Sequence, residues 1–171
     1  HKFYGLKGIG LLIKKENITI EPLIHGGKST TSYRSGTPAL PLIVSLMKAL
    51  KLIIPNVLDN YKYISKLNKK ICDKLRTYDK VHINSTENSI ATTINFSLRG
   101  IKPETFVHAL DEKEIYISTK SACSSSDSMS NAVYALTKNK ELSYQTLRIS
   151  LSYLTTEEEV EELDMILKGL V

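Results

Sequence analysis

The chain has 171 residues, 42% hydrophobic and 24% charged, with a net charge of +5 and a pI near 9.1, enough for one folded domain with a true core. No unbroken run approaches the roughly 20 apolar residues that span a bilayer, and no signal-peptide pattern opens the chain, so the reading is a cytoplasmic protein with no membrane contact. The basic residues are interspersed with acidic ones, no basic run alternates with aromatics and tryptophan is absent, which argues against direct nucleic-acid binding.

The chain opens at His1 in what reads as a loop entering a strand, as an excised piece would. Two apolar runs, Gly8–Lys14 and Ile18–Ile24, flank the polar turn Lys15-Glu16-Asn17 and predict a hairpin. The stretch His25–Thr37, rich in glycine and hydroxyls, predicts a loop. From Pro38 to about Leu52 apolar positions follow helical spacing, with Thr37 as the cap and Pro38 at the first helical position. Pro55 interrupts, and a second helix runs on to Leu75 carrying Cys72, read as a packing thiol.

Beyond Lys80 the period changes to that of strands, at Val81–Asn84 and Ser89–Ser97. Pro103 opens a short helix over Thr105–Leu110, and Glu114–Ser118 returns to a strand. A further helix is expected at Asn131–Leu136, then a strand at Thr146–Leu151. The last helix is the clearest: Thr155 caps it, Glu158 completes a capping box, and Val160, Leu163, Ile166, Leu167 and Leu170 form one apolar stripe. The acidic run Glu157–Glu162 reads as a helix start with a solvated face. The fold class is α+β, a small, mostly antiparallel sheet with helices on one face, preceded by a hairpin and two long helices.

The chemistry concentrates at Ser118–Ser130, which holds Cys123 among serines with Lys120 just before it. So polar a segment predicts an exposed loop. A cysteine near a lysine is a candidate nucleophile, since the thiolate is the reactive form and a cation favours it; a surface thiol without a role fits those residues equally well. Cys72 and Cys123, with histidines at positions 1, 25, 82 and 108, lack metal-ligand spacing, so no metal is expected.

Four motifs in order, His1–Gly10, His25-Gly26-Gly27 with Arg34–Pro38, Ser121-Ala122-Cys123, and Leu147–Leu151, resemble cysteine desulfurases. These are pyridoxal 5'-phosphate enzymes of the class V aminotransferase fold, and the long serine-bearing cysteine loop is similar to that of the iron–sulfur-cluster and tRNA-thiolation group. The resemblance implies a fold-type I enzyme cut at its Schiff-base lysine, with residues 1–37 the edge of the cofactor-binding large domain and 38–171 the linking helices and small C-terminal domain. Lys2 matches the Schiff-base lysine, His1 the histidine beside the cofactor phosphate, and Thr37 a residue reaching the phosphate of a neighbouring subunit's cofactor, which implies a homodimer. Arg148 matches the arginine that grips the substrate carboxylate, and Cys123 the cysteine that accepts sulfur as a persulfide from L-cysteine for an acceptor protein. Outside the resemblance, Lys2 reads as a solvated terminal lysine and Arg148 as a strand arginine pairing with a surface acid.

The chain departs from the pattern at Leu6, where proline is common, and at Lys28, where a third glycine is usual. Family members are much longer, so the 171 residues alone are expected neither to hold the cofactor tightly nor to turn over cysteine. Other class V enzymes, a selenocysteine lyase or an aminotransferase, retain the logic of Lys2 and Arg148 without Cys123. A non-catalytic domain that docks a sulfur acceptor is the third reading.

Overall fold

The structure, a computed structural model, describes residues 1–27, 31–119 and 129–171. The expectations for Lys28, Lys120 and Cys123 therefore lie outside the described residues. The chain forms two compact units, His1–Val57 and Leu58–Val171; the sequence reading places its boundary earlier, after Thr37.

In the first unit helix α1 spans Leu40–Ile53, and its cap is Ala39, with no side-chain hydrogen bond. The expected start at Thr37 and Pro38 is corrected by two residues. The Pro38 carbonyl accepts from the Leu40 N–H at 2.9 Å in a local turn, and Pro41 occupies the first helical turn, where its missing N–H costs nothing. Helix α1 holds the N-terminal segment: the Leu6 N–H donates to Ser45 Oγ at 3.1 Å, and Gly5 lies so near Ala49 that an added Cβ would meet its methyl at 3.5 Å.

The expected hairpin is not formed, for residues 8–24 carry no strand. Only its turn is present, where the Ile18 N–H donates to the Lys15 carbonyl at 3.1 Å and Lys14 Nζ donates to the Ile18 carbonyl at 2.9 Å. The apolar side chains that would have formed its buried face point outward, with Ile13 86% and Leu23 95% exposed. A two-stranded ribbon with nothing to bury against is marginal in water, so periodicity alone does not make one.

A 3-10 turn at Ile54–Asn56 leads into α2, Val57–Leu75. By length and composition alone the helical stretch Leu40–Leu75 is long and apolar enough to cross a membrane, a test that the core helix of a globular protein also meets. In α2, however, Ile64, Leu67, Ile71 and Leu75 recur at helical spacing and are core residues of the second unit.

That unit is built on an antiparallel three-stranded sheet in the order β1 (Val81–Ile83), β2 (Thr93–Leu98) and β3 (Thr146–Ser150). In β2 the apolar Ile94, Phe96 and Leu98 alternate with Thr93, Asn95 and Ser97, so the strand presents two chemically different faces. The apolar face, joined by Leu147 and Ile149, packs on α2, on α3 (Pro103–Asp111) through Phe106 and Leu110, and on α6 (Glu157–Leu170) through Val160, Leu163 and Leu167. Leu67, Leu75, Leu110 and Leu147 have no exposed surface, and truncating any one to alanine would cost about 2–5 kcal/mol. Cys72 is buried in the same core, as a packing thiol is.

The polar face carries a hydrogen-bond network in which Asn84 Oδ1 and Arg148 Nε are left without a partner among the described residues. Asn84 Nδ2 donates to Asn95 Oδ1 and to Ser97 Oγ, each at 2.8 Å, and Thr146 Oγ1 donates to Asn95 Oδ1 at 2.9 Å. Ser97 Oγ in turn donates to the Leu142 carbonyl at 2.8 Å, tying down α5 (Lys140–Tyr144), which follows α4 (Asn131–Thr137). Helix α5 was not foreseen, because five residues are too short to show a period.

The expected strand Glu114–Ser118 reduces to one bridging residue, Ser118 opposite Arg148. Glu114 adopts a left-handed conformation (φ 60°) and its N–H closes a turn on the Asp111 carbonyl at 3.0 Å, so the chain reaches β3 late. The capping box of α6 is formed one residue later than expected. Thr156 Oγ1 accepts from the Glu159 N–H at 3.2 Å and the Glu159 carboxylate accepts from the Thr156 N–H at 2.8 Å, whereas Thr155 Oγ1 accepts from the Ser152 N–H.

The acidic run is more than a solvated face. Lys66 pairs with Glu157 at 2.6 Å, Lys70 with Glu161 at 2.7 Å, and Lys74 with Asp164 at 2.9 Å, so the pairing advances in the same direction along α2 and α6. Asp164, only 5% exposed, anchors the ladder. Burial raises its carboxyl, but hydrogen bonds from Lys74, Lys168 and Tyr78 outweigh that cost and hold it down at about 2.

Because the folded carboxyl titrates below the ordinary aspartate value of 3.8, its contribution is complete above pH 4 and is lost as pH falls through 2. Urea unfolding followed from pH 5 to pH 2 is expected to lose about 2 kcal/mol from this group, a portion of the pH dependence missing in Asp164→Asn. Thr156→Ala is expected to lower stability by about 1 kcal/mol through loss of the capping box, read by the same denaturation.

Candidate functional site

Of the residues singled out from the sequence, Arg148 has the most telling surroundings. It lies in mid-β3, opposite Asn95 of β2, with its neighbours Leu147 and Ile149 committed to the core. Its side chain therefore belongs to the polar face, next to Thr146 and Asn95. On its other edge Arg148 pairs with Ser118: the Ser118 N–H donates to the Arg148 carbonyl at 3.0 Å, and the Arg148 N–H donates to the Ser118 carbonyl at 2.7 Å.

The guanidinium is incompletely engaged. Nη2 donates to Ser118 Oγ at 3.4 Å, while the buried Nε has no hydrogen-bond partner among the described residues. Opposite it in the register, the side-chain oxygen of Asn95 already accepts from Asn84 and Thr146, leaving it no free lone pair. A buried charged donor without an acceptor costs free energy unless a ligand supplies one, and a planar guanidinium suits a carboxylate, which can accept two parallel bonds. No acidic side chain pairs with Arg148 among the described ion pairs, so the surface-acid reading of this residue finds no support.

Ser118 was not foreseen as a site residue. It opens the cysteine segment, whose far end is also tied down: the Ser130 N–H donates to the Ser143 carbonyl at 2.8 Å, and Ser130 Oγ caps α4 by accepting from the Val133 N–H. Both ends of the segment carrying Cys123 are thus anchored in the second unit. A polar residue just before a cysteine-bearing segment, with the strand arginine far along in sequence, gives no spacing signal, because the pairing joins residues 118 and 148 only in space.

His1, Lys2 and Thr37 lie in the first unit and are exposed. The Tyr4 N–H donates to the His1 carbonyl at 3.0 Å, closing a turn around Lys2, and Tyr4 takes a left-handed conformation (φ 70°). With Gly5 against Ala49 and Leu6 bonded to Ser45, the backbone on the C-terminal side of Lys2 is held by α1. The substitution Leu6 is accommodated, half exposed, in that segment.

Cys72 takes no part in such a site. Burial pushes its thiol up, with nearby Arg76 opposing and Asp73 adding, so it stays protonated and unreactive. It lines a cavity of about 650 Å³ between α2 and residues 83–93, together with Asn68, Lys69, Arg76 and Ser89; none of His1, Lys2, Thr37 and Arg148 lines it.

If Arg148 is kept for a ligand rather than for folding, replacing it should cost the fold little. Arg148→Met keeps the chain length and removes the unpartnered buried Nε, so unfolding free energy is expected to stay within about 1 kcal/mol of the parent or to rise. A larger loss in a denaturation measurement would make the arginine structural.

Residues 1–163 match the family described as Aminotransferase class-V. The chain is 32% identical over 175 residues to cysteine desulfurase IscS of Mannheimia succiniciproducens, covering 100% of this chain and 43% of that protein. It is 32% identical over 173 residues to cysteine desulfurase IscS of Methanosarcina thermophila, again covering 100% and 43%. A solved NifS-like protein shares the fold with a TM-score of 0.86 and 31% identity, over 99% of this chain and 44% of that one. The α+β expectation thus holds, and the chain spans about 43% of the length of the curated relatives it matches. With the match running from His1 to within eight residues of the C-terminus, the chain belongs to the aminotransferase class-V family.

Proposed function

We propose that the protein carrying this chain is a cysteine desulfurase that takes sulfur from L-cysteine, releases L-alanine and holds the sulfur as a persulfide on Cys123. The observation that carries the reading is the Ser118–Arg148 pairing. It joins a half-buried arginine, whose buried Nε lacks an acceptor among the described residues, to the foot of the segment in which Cys123 lies five residues further on. A receiver for an amino-acid carboxylate and an acceptor for its sulfur thus share one anchor. The names of the relatives, cysteine desulfurase IscS, support the same activity.

The family implies pyridoxal 5'-phosphate, and the donor set here fits that group in part: a primary amine at Lys2 for its aldehyde, and the His1 imidazole and Thr37 hydroxyl for its phosphate. When bound, the cofactor supplies the aldehyde and an electron-accepting ring. Lys2 Nζ, on a turn that α1 holds in place, takes the proton from the substrate α-carbon. Arg148 orients the substrate through its carboxylate by charge-assisted bonds. The Cys123 thiolate attacks the substrate sulfur: the carbon–sulfur bond breaks, a sulfur–sulfur bond forms on Cys123, and the thiol proton ends on the released alanine. Cysteine plus enzyme thiol thus yields alanine plus enzyme persulfide.

The complete enzyme is read as a cytoplasmic homodimer in which Thr37 reaches the phosphate site of its neighbour. A sulfur-acceptor protein, an iron–sulfur scaffold or a tRNA-thiolation enzyme, takes the persulfide sulfur. The test is alanine and persulfide production from L-cysteine by the full-length protein. Cys123→Ala is expected to abolish the persulfide, and Lys2→Ala to lower alanine formation about 10²- to 10⁴-fold. A Cys123→Ala protein with full sulfur release would remove the cysteine from the reaction and favour another class V activity, such as a selenocysteine lyase or an aminotransferase. A full-length protein that binds the sulfur acceptor but leaves cysteine unchanged would favour a docking role.

A further inference from the structure

We propose that Ser118 is a positioning residue for Arg148 and thereby sets how the substrate carboxylate is held; this rests on the reading of Arg148 given above. Among the described residues, Ser118 is bonded to Arg148 three times: twice through the backbone, at 3.0 and 2.7 Å, and once through its hydroxyl, which accepts from Nη2 at 3.4 Å. No other described side chain accepts from the guanidinium, and the side-chain oxygen of Asn95, its partner in the register, is filled by Asn84 and Thr146.

The consequence is geometric. An arginine side chain has several rotatable bonds and loses about 2 kcal/mol of rotamer freedom when fixed. The Ser118 hydroxyl holds one corner of the guanidinium, and the buried Nε is left without an acceptor among the described residues. A carboxylate that accepts from Nε then meets a fork already oriented, so part of the ordering cost is met before binding. The long 3.4 Å contact is a weak hold, suited to a group that adjusts when its ligand arrives.

Ser118→Ala and Ser118→Thr in the full-length, cofactor-loaded enzyme test this, with Arg148→Met run beside them. Ser118→Ala is expected to raise KM for L-cysteine about three- to tenfold with kcat within about twofold, and Ser118→Thr, which keeps the hydroxyl, to restore KM. The inhibition constant of L-cysteine amide, in which the carboxylate is replaced by a neutral group, should not change in Ser118→Ala. Equal weakening of cysteine and its amide, an unchanged KM, or a Thr variant as impaired as the Ala variant would each overturn the proposal. If Arg148→Met also leaves KM for cysteine unchanged, the carboxylate role of Arg148 fails and this inference falls with it. If Arg148→Met raises KM while Ser118→Ala does not, the role of Arg148 stands and only the positioning role of Ser118 is lost.

Discussion

The pairing of β2 with β3 governs the second unit. In its register Asn95 faces Arg148, Phe96 faces Leu147 and Ile94 faces Ile149, so all the apolar members fall on one face and the polar ones on the other. A slip of one residue would push Ile94, Phe96 and Leu98 out of a core in which each is almost wholly buried. The register is therefore set by the hydrophobic effect, and the position of Arg148 follows from it. The polar face does not have to be designed separately: it is what remains when the apolar face is buried.

The two faces are stabilised by different physics. On one, α2, α3 and α6 bury leucine, isoleucine and phenylalanine side chains, and the ladder of Lys66, Lys70 and Lys74 against Glu157, Glu161 and Asp164 lines up two of those helices. Most of these ion pairs are exposed and contribute little individually, but Asp164 is buried and its pairing with Lys74 and Lys168 resists protonation. On the other face, Asn84, Asn95, Ser97 and Thr146 form a hydrogen-bond network, and Asn84 Oδ1 and Arg148 Nε are left without partners among the described residues. Stability on the first face makes an energetically unfavourable arrangement on the second tolerable, as is common where a ligand is to be received.

Much of this was open to reading from the residues. The α+β class followed from the change of period near Lys80, and the helices at 57–75, 103–111, 131–137 and 157–170 carry apolar spacings or opening signals that tertiary contacts only sharpen. The polar face of β2 was equally present in the alternation Thr93, Asn95, Ser97. Errors came where a pattern needs a partner to become a structure. The runs at Gly8–Lys14 and Ile18–Ile24 have the composition of strands but no strand forms there, and Thr155 stands as well placed for a cap as Thr156 until the chain direction decides which hydroxyl meets the Glu159 N–H.

The sequence by itself determined which residues are apolar and at what period, hence which stripe of each helix and which face of each strand is buried, because those periods are properties of the backbone. It also carried the order of motifs from which a class V enzyme is recognised. Only the tertiary structure decided that Ser118 meets Arg148 across 30 residues of chain, that the oxygen of Asn95 is spent elsewhere, and that one buried donor of Arg148 is left without a partner among the described residues. Those are facts of long-range contact, and hydrogen-bond capacity is allotted only once residues distant in sequence compete for it in the same small volume.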